Sequence, residues 1–486
     1  MLKIKSVVFF VFAICGVSTT IAQKGTQSPY SSFGLGELGS DIYARYAAMG
    51  NVYLANTDST IVNTGNPASY SYLAPYLPIL QIGLNGRVSN FSTASAQTNQ
   101  RHFGINQIQL GIPLKKNWGM AFGFKPYSFT GYRITKYTVS GEDTTQLYVN
   151  EGSGGIRIAN FGIGYRPLNS MKADTISIRV ESKDTTQRKK DELPVIGVKT
   201  KQFSLGINGN YLFGSSEQIR SAEYIPSTAS IFNSRVIDGL RVSGLSAEIG
   251  VNYQFGFNSN VLMRMVSIGA TYSPGANVRS FQDIYSFSYI GSFYQGQSVA
   301  VLDTIELVQN NEGSFYKPES FGVGFEYRFR PYKSAGVLLI GLDGRMEKWS
   351  KFSTTFSSEE TSGGLKDRTS LGLGFQWIPI TGGFLPTTPI LSKLTYRIGF
   401  SYAKTELQVK NNLGIITPID NYGMSFGIGV PINTGKSNTN LNFGANLGSL
   451  GTTDNGLIKE QYLGFFVGFS LTPQASNKWF IKRKYN

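Results

Sequence analysis

Side chains able to do chemistry are scarce in this chain of 486 residues, which has one histidine, His102, and one cysteine, Cys15. Imidazole binding of a metal needs further ligands at set spacing, and His102 has no second imidazole to work with. A serine triad would have to recruit the same histidine, and no nucleophile elbow is assigned to serve it. The Glu359-Glu360 pair has no identifiable partner. No catalytic, metal or cofactor site is therefore expected, and His102 is placed at the external end of a strand. Gly34-Leu35-Gly36-Glu37-Leu38-Gly39 spells GxGxxG, but a dinucleotide fingerprint needs a preceding strand and a βαβ unit. A polar linker precedes this one, so it is read as a compact loop.

The chain opens with Lys3 and Lys5, an apolar run from Ser6 to Val17, and the small-residue site Thr20-Ile21-Ala22. That pattern predicts a secretory signal peptide over 1–22. Cys15 follows Phe12-Ala13-Ile14, whereas a lipobox wants a small residue directly before its cysteine. Cleavage would leave no cysteine and would exclude disulfides and thiol chemistry. The formal charge of +15 has no Lys/Arg cluster on a helical pattern, and its dense run is Arg188-Lys189-Lys190. Outer-membrane lipids and lipopolysaccharide, with no nucleic acid, are the expected anionic partners.

The elements that must position anything functional are strands. In "TNLNFGANLGSL", Leu441, Phe443, Ala445 and Leu447 alternate with Asn442, Gly444, Asn446 and Gly448. The same alternation recurs at 203–213, 321–328, 370–377 and 463–471, with Gly and polar residues on the second face. Segments of roughly ten residues with one apolar and one small or polar face mark a transmembrane β-barrel, apolar face toward lipid. Only a closed sheet leaves no unpaired backbone in a bilayer. Fourteen antiparallel strands are predicted, at 79–91, 102–113, 118–137, 154–167, 202–215, 240–255, 263–290, 318–330, 335–349, 367–378, 391–405, 421–431, 438–450 and 459–471. Residues 263–290 are read as one strand with a bulge at Pro274-Gly275. With both termini in the periplasm, the short connections (115–117, 256–262, 331–334, 432–437) fall on one side. The long ones (138–153, 216–239, 291–317, 406–420) fall outside as loops, and the charged insertion 168–201 is the periplasmic exception.

Residues 23–76 differ in chemistry. A short helix is expected with Ser40 as N-cap and Gly50 as its stop, and a second turn with Asn66 capping and Pro67 and Ala68 entering it. Such a segment ahead of a barrel has the lumen to fill, and small Gly and Asn faces leave it room. It is read as a plug.

These residues resemble the FadL family of outer-membrane long-chain fatty-acid transporters. The resemblance rests on "SSFGLG", "ARYAAMGNVYLAN" and "NTGNPASYS", and continues in "KPESFGVGFEYRF" and "IGLDGRMEKWSKF". It covers most of the mature chain and implies a hatch containing Gly34, Gly36, Ala48, Met49, Gly50, Asn66, Pro67 and Ala68. It further implies passive uptake of a hydrophobic small molecule, with sideways release at a kinked third strand. That strand, "WGMAFGFKPYSFTGYRITKY", carries Pro126 and Gly131 as candidate gate residues, because proline cannot donate to the ladder. The basic tail 473–486, with Trp479 and Phe480, departs from the family and resembles tails of Bacteroidota outer-membrane proteins. Relatives there also serve as non-transporting subunits of secretion or assembly machines, so docking to other outer-membrane or periplasmic proteins is the alternative. An apolar pocket beside Tyr43–Leu54 would favour transport, and a filled lumen would favour docking.

Overall fold

The computed structural model describes residues 25–39, 42–139, 145–181, 190–225, 232–331, 336–357, 359–380, 389–410, 414–434 and 437–473. The leader, Ser40 and the tail with Trp479 and Phe480 lie outside them. The barrel strands are β1 (Ile79–Ser92), β2 (Gln97–Lys115), β3 (Trp118–Val139), β4 (Thr145–Glu181), β5 (Lys190–Ile225) and β6 (Asn233–Asn258). Strand β7 has two pieces, Met263–Ser273 and Ala276–Ile290, and so has β8, Ala300–Lys317 and Ser320–Arg330. The wall continues through β9 (Val337–Glu347), β10 (Arg368–Ile378), β11 (Thr395–Lys410), β12 (Ile416–Thr434), β13 (Ser437–Leu450) and β14 (Lys459–Pro473). Pairing is antiparallel throughout, and β14 returns to β1 from Lys459↔Ser92 to Leu471↔Leu80. The result is a closed 14-stranded barrel. Pro274-Gly275 interrupts β7 where the bulge is predicted, and both pieces pair with β6.

Sidedness follows the alternation. Phe443, Leu447, Phe465 and Leu371 are 43–52% exposed on the outer face, while Asn442, Gln376, Asn208 and Ser204 are buried inside. Outward aliphatic and aromatic groups lose nothing in lipid, whereas the inner polar groups find partners in the lumen.

The strands run further than hydropathy predicts. Pairing of β3 with β4 continues to Val139↔Thr145, and pairing of β4 with β5 to Thr145↔Ile225. Much of 138–153, 216–239, 291–317 and 406–420 is therefore strand rather than loop. The apolar pattern stops where lipid stops, but backbone N–H and C=O groups still seek each other above it. Within 168–201, Leu168–Glu181 pairs with Lys190–Phe203 as a hairpin arm at the opposite end, the end of the short turns. Strand nine ends at Glu347, and Trp349–Lys351 forms a 3₁₀ turn instead of completing it. A small hairpin, Ser353–Phe356 with Glu359–Ser362, leans on β8 at Gly313–Phe315.

The first helix is shorter than expected. It is one turn, Ala44–Ala47, with Tyr43 rather than Ser40 at its N-cap position and Ala48 at its C-cap. Gly50 lies beyond it at φ +66°, which turns the chain away. The second turn, Pro67–Tyr72, is a 3₁₀ helix whose cap Asn66 accepts from the Ala68 N–H.

The up-and-down order places the β7–β8 end opposite the β4–β5 hairpin arm. Thr304 and Ala173 are both exposed, one at each end. In intact cells, an impermeant maleimide should label Thr304→Cys and spare Ala173→Cys; the reverse pattern would invert the barrel in the membrane.

Candidate functional site

The N-terminal segment is seated on the glycine positions of the wall. A Cβ on Gly399 would stand 2.0 Å from the Gly50 nitrogen, and one on Gly206 would stand 2.3 Å from the Pro67 carbonyl carbon. Backbone thus lies against backbone, a distance that no other residue at those wall positions would permit. Ala48 packs on Gly427, and Met49 packs on Gly374 beside Val52 and Leu339. Both are fully buried in the plug itself.

Polar bonds then fasten the hatch around the barrel. Asp343 of β9 accepts from the Tyr53 and Leu54 N–H groups at 2.6 and 2.8 Å. Gln81 of β1 both accepts from the Val62 N–H and donates to its carbonyl, each at 3.1 Å. Asn66 donates to Leu54 O at 2.7 Å and Val251 O at 3.1 Å while capping Ala68. Tyr70 donates to Asn208 at 3.0 Å, and Asn56 donates to Glu326 at 2.8 Å. Within the hatch, Arg45 forms an ion pair with Asp58.

One stretch of wall is parted. Strands β2 and β3 pair from Lys115↔Trp118 to Ile108↔Phe124 and then separate at Pro126, although β2 stays on β1 and β3 on β4. The freed edge of β3 is occupied from inside by the hatch. Glu37 and Leu38 pair with Phe129 and Ser128, Gly39 donates its N–H to Tyr127 O at 2.9 Å, and Ser31 Oγ both donates to Gly131 O and accepts from its N–H. Gly36, at φ +97°, makes this docking possible, since a Cβ there would stand 2.3 Å from Phe129 O. Gly34 also has positive φ, at +55°. Pro126 and Gly131 are thus brought to one edge with Gly36, while Asn66, Pro67 and Ala68 lie against β5 and β6.

Glu37 reaches both banks of the parting. Its backbone is on β3, and its carboxylate accepts from Arg87 Nη1 of β1 at 2.6 Å and from the Thr26 hydroxyl. Arg87 Nη2 pairs with Glu460 of β14 at 2.7 Å, and Glu460 accepts further from Ser28 and Ser89. Burial alone would raise the Glu37 pKa, but Arg87 and Thr26 outweigh it and hold the carboxyl below its ordinary value.

Behind the parting lies a lumenal cavity of about 340 Å³. Pro126, Phe129, Asn106, Glu37, Arg87 and Asp343 are among the residues that line it. It adjoins Gly50 to Leu54, as an uptake pocket should, but its walls carry charge where an apolar lining is the expectation. His102 also lines it, not the external rim: register sets it opposite Arg87, so both face inward. Glu37, Arg87, Glu460 and Asp343 are functional residues that the sequence reading does not single out. For Arg87 and Asp343 the signal is charge on an otherwise Gly/Asn/Ser strand face, as in "NGRVSN" and, with Arg345 two residues on, "GLDGRM".

Gly423-Met424-Ser425-Phe426-Gly427 has the GxSxG spacing, but it lies within β12 and not at a strand-to-helix elbow, and Ser425 Oγ accepts from the Gly50 N–H at 3.1 Å. No cluster able to hold a metal occurs among the described residues.

A fourteen-stranded barrel closed on its own N-terminal hatch and parted at its third strand has the fold of the FadL-type outer-membrane barrels, and the chain is an outer-membrane β-barrel of that fold. Among solved structures, the toluene transporter TbuX of Ralstonia pickettii aligns with a TM-score of 0.50 at 11% identity, over 89% of this chain and 98% of that one. A Pseudomonas aeruginosa FadL homologue aligns at 0.47 and 11%, over 91% and 99%. The Pseudomonas putida toluene transporter TodX aligns at 0.43 and 13%, over 92% and 99%. At such identities the likeness is one of fold. No curated protein sequence matches. The chain belongs to the BamG family, whose model matches residues 1–175 and 195–486.

Two substitutions probe this seating. Asn66→Ala removes a cap and two further bonds and should cost roughly 2–3 kcal/mol in reversible unfolding from detergent. Arg87→Met strands the buried Glu460 carboxylate and the partly buried Glu37 carboxylate and should cost about 3–5 kcal/mol. In the native chain, the Glu37 contribution is complete above the ordinary carboxylate range and is lost as pH falls through its depressed pKa. In Arg87→Met the dependence should invert, with acid restoring stability; an unchanged pH profile would show that the pair carries no weight.

Proposed function

We propose that the protein moves an amphiphilic molecule, apolar body and polar head, between the barrel lumen and the bilayer through the parting of β2 and β3. The observation that carries this reading is the loss of ladder pairing at Pro126 directly in front of the 340 Å³ cavity. A continuous wall would bar sideways movement, since each backbone group exposed in lipid costs several kcal/mol. Here the hatch already pairs with the β3 edge at residues 127–131, so that bank of the parting escapes the penalty. Phe129 and Leu54 could receive a tail at about 0.8 kcal/mol per buried methylene, and Arg87 or Arg345 could hold an acidic head. Pro126 and Gly131 are the gate residues of this proposal. TbuX, a protein of this fold, is a toluene transporter.

A second reading is favoured by the charged cavity walls, the many bonds fixing the hatch and the family name, which points to outer-membrane assembly machinery. In it the barrel is a docking subunit of such a machine, with Trp479 and Phe480 as anchors of the tail.

Proteoliposomes separate the two. With a fluorescent long-chain carboxylate, the full chain should speed transfer over protein-free vesicles, and Ser401→Trp, which fills the cavity, should return it to baseline with folding intact. Unaltered transfer in Ser401→Trp removes the lumenal route. No transfer by the native chain, together with a stable complex from mild-detergent purification that is lost on truncation after Pro473, establishes the docking subunit.

A further inference from the structure

The outer piece of β8 leaves an unpaired edge. From Ala300 to Asn311 it pairs on one side with the outer piece of β7, from Ala300↔Ile290 to Asn311↔Gln282. Its other side meets a strand only at Gly313–Phe315, where the small hairpin Ser353–Phe356 joins it. Among the described residues, no strand lies along Ala300–Asn311 on that side. The cause is a difference in height: β9 stops at Glu347 while β8 continues above it.

The side chains on this edge are unusual for one left open. Val301, Leu302, Ile305 and Leu307 are 46–65% exposed within a few residues of one another. Natural edges are commonly blunted with lysine, proline or bulges. This stretch does carry register shifts, between Val301 and Asp303, Thr304 and Glu306, and Val308 and Asn311. It carries no proline and no lysine until Lys317, and its charges are all acidic: Asp303, Glu306 and Glu312.

We infer that Ala300–Asn311 is a strand-addition site on the external end of the barrel, and that its occupant is an extended, basic segment of another protein with apolar residues at alternate positions. Unpaired N–H and C=O groups along an edge select an extended backbone, and the flanking side chains set the sequence preference. A second copy would bring another run that carries Asp303 and Glu306 and no basic residue alongside this one, and like charges brought close across a strand pair are destabilising. Glu312 already has Arg279 beside it at 2.8 Å, so a lysine- or arginine-bearing strand would neutralise Asp303 and Glu306 while covering the four aliphatic side chains. Roughly 3.4 Å per residue gives the edge room for a strand of ordinary length. The inference is independent of whether the lumen transports.

The probe is a short peptide alternating lysine and valine, added to the full-length protein in detergent, with its glutamate–valine counterpart as control. Hydrogen exchange should slow at 300–311 with the basic peptide alone, and affinity should fall with salt. Asp303→Lys combined with Glu306→Lys, both at exposed positions, should weaken binding at least about tenfold with the barrel still folded. Equal protection by both peptides, protection elsewhere only, or none would overturn the inference. So would a salt-insensitive dimer of the native chain that protects 300–311, since that would make a second copy the occupant.

Discussion

Everything in this molecule follows from the absence of water in a bilayer's interior, which obliges each backbone N–H and C=O to find a partner within the protein. Closure of β14 on β1 satisfies the wall. Closure also creates an interior that outward-facing Leu, Phe and Tyr cannot fill. The chain fills it with backbone: glycines at 206, 269, 374 and 399 bring the wall to contact distance of the hatch main chain. Asp343, Gln81, Ser425 and Asn66 then take up the polar groups that this contact would otherwise bury unpaired. The Gly/Asn face and the plug are two halves of one solution.

The same rule explains the parting. Pro126 removes a donor from β3, and the ladder to β2 ends beside it. In lipid such an edge would be expensive, yet Glu37–Leu38, Gly39 and Ser31 pair with it from within. The hatch is therefore part of the wall as well as its filling. This makes a shift of residues 31–39 different in kind from ejection of the plug, because it breaks a few bonds at one edge and leaves those to Asp343, Gln81 and Asn208 in place.

Alternation at 441–447 or 370–377 was enough to read the strands, their number and their sidedness, because lipid imposes an unbroken hydrophobic requirement on one face. That requirement ends at the headgroups. Val139, Thr304 or Ala173 therefore carry no signal that distinguishes a paired strand from a loop, and the tall outer wall was invisible to hydropathy. Asn66-Pro67-Ala68 was legible as a cap because its chemistry is local. The Glu37–Arg87–Glu460 cluster is not, since Glu37 meets Arg87 only when the hatch folds into the lumen, and Glu460 meets it only once β14 closes on β1. His102 lies on the lumenal face and not at the external rim for the same reason: its facing depends on register with Arg87 and not on its own neighbours.

Glu37 concentrates the consequences. Its amide and carbonyl belong to the β3 edge through Phe129, and its carboxylate belongs to β1 through Arg87, so it spans the gap that β2 leaves open. An ionic contact at that place is weak where water reaches it and strong where it does not. The cavity is partly open, and Glu37 is about a quarter exposed, so the bond sits between these limits. A wholly apolar latch would have no reason to respond to a guest with a charged head. On the proposed lateral route, an acidic guest would meet Arg87 already paired and would compete with Glu37 for the same guanidinium, and success in that competition would loosen the residue that ties the two banks together.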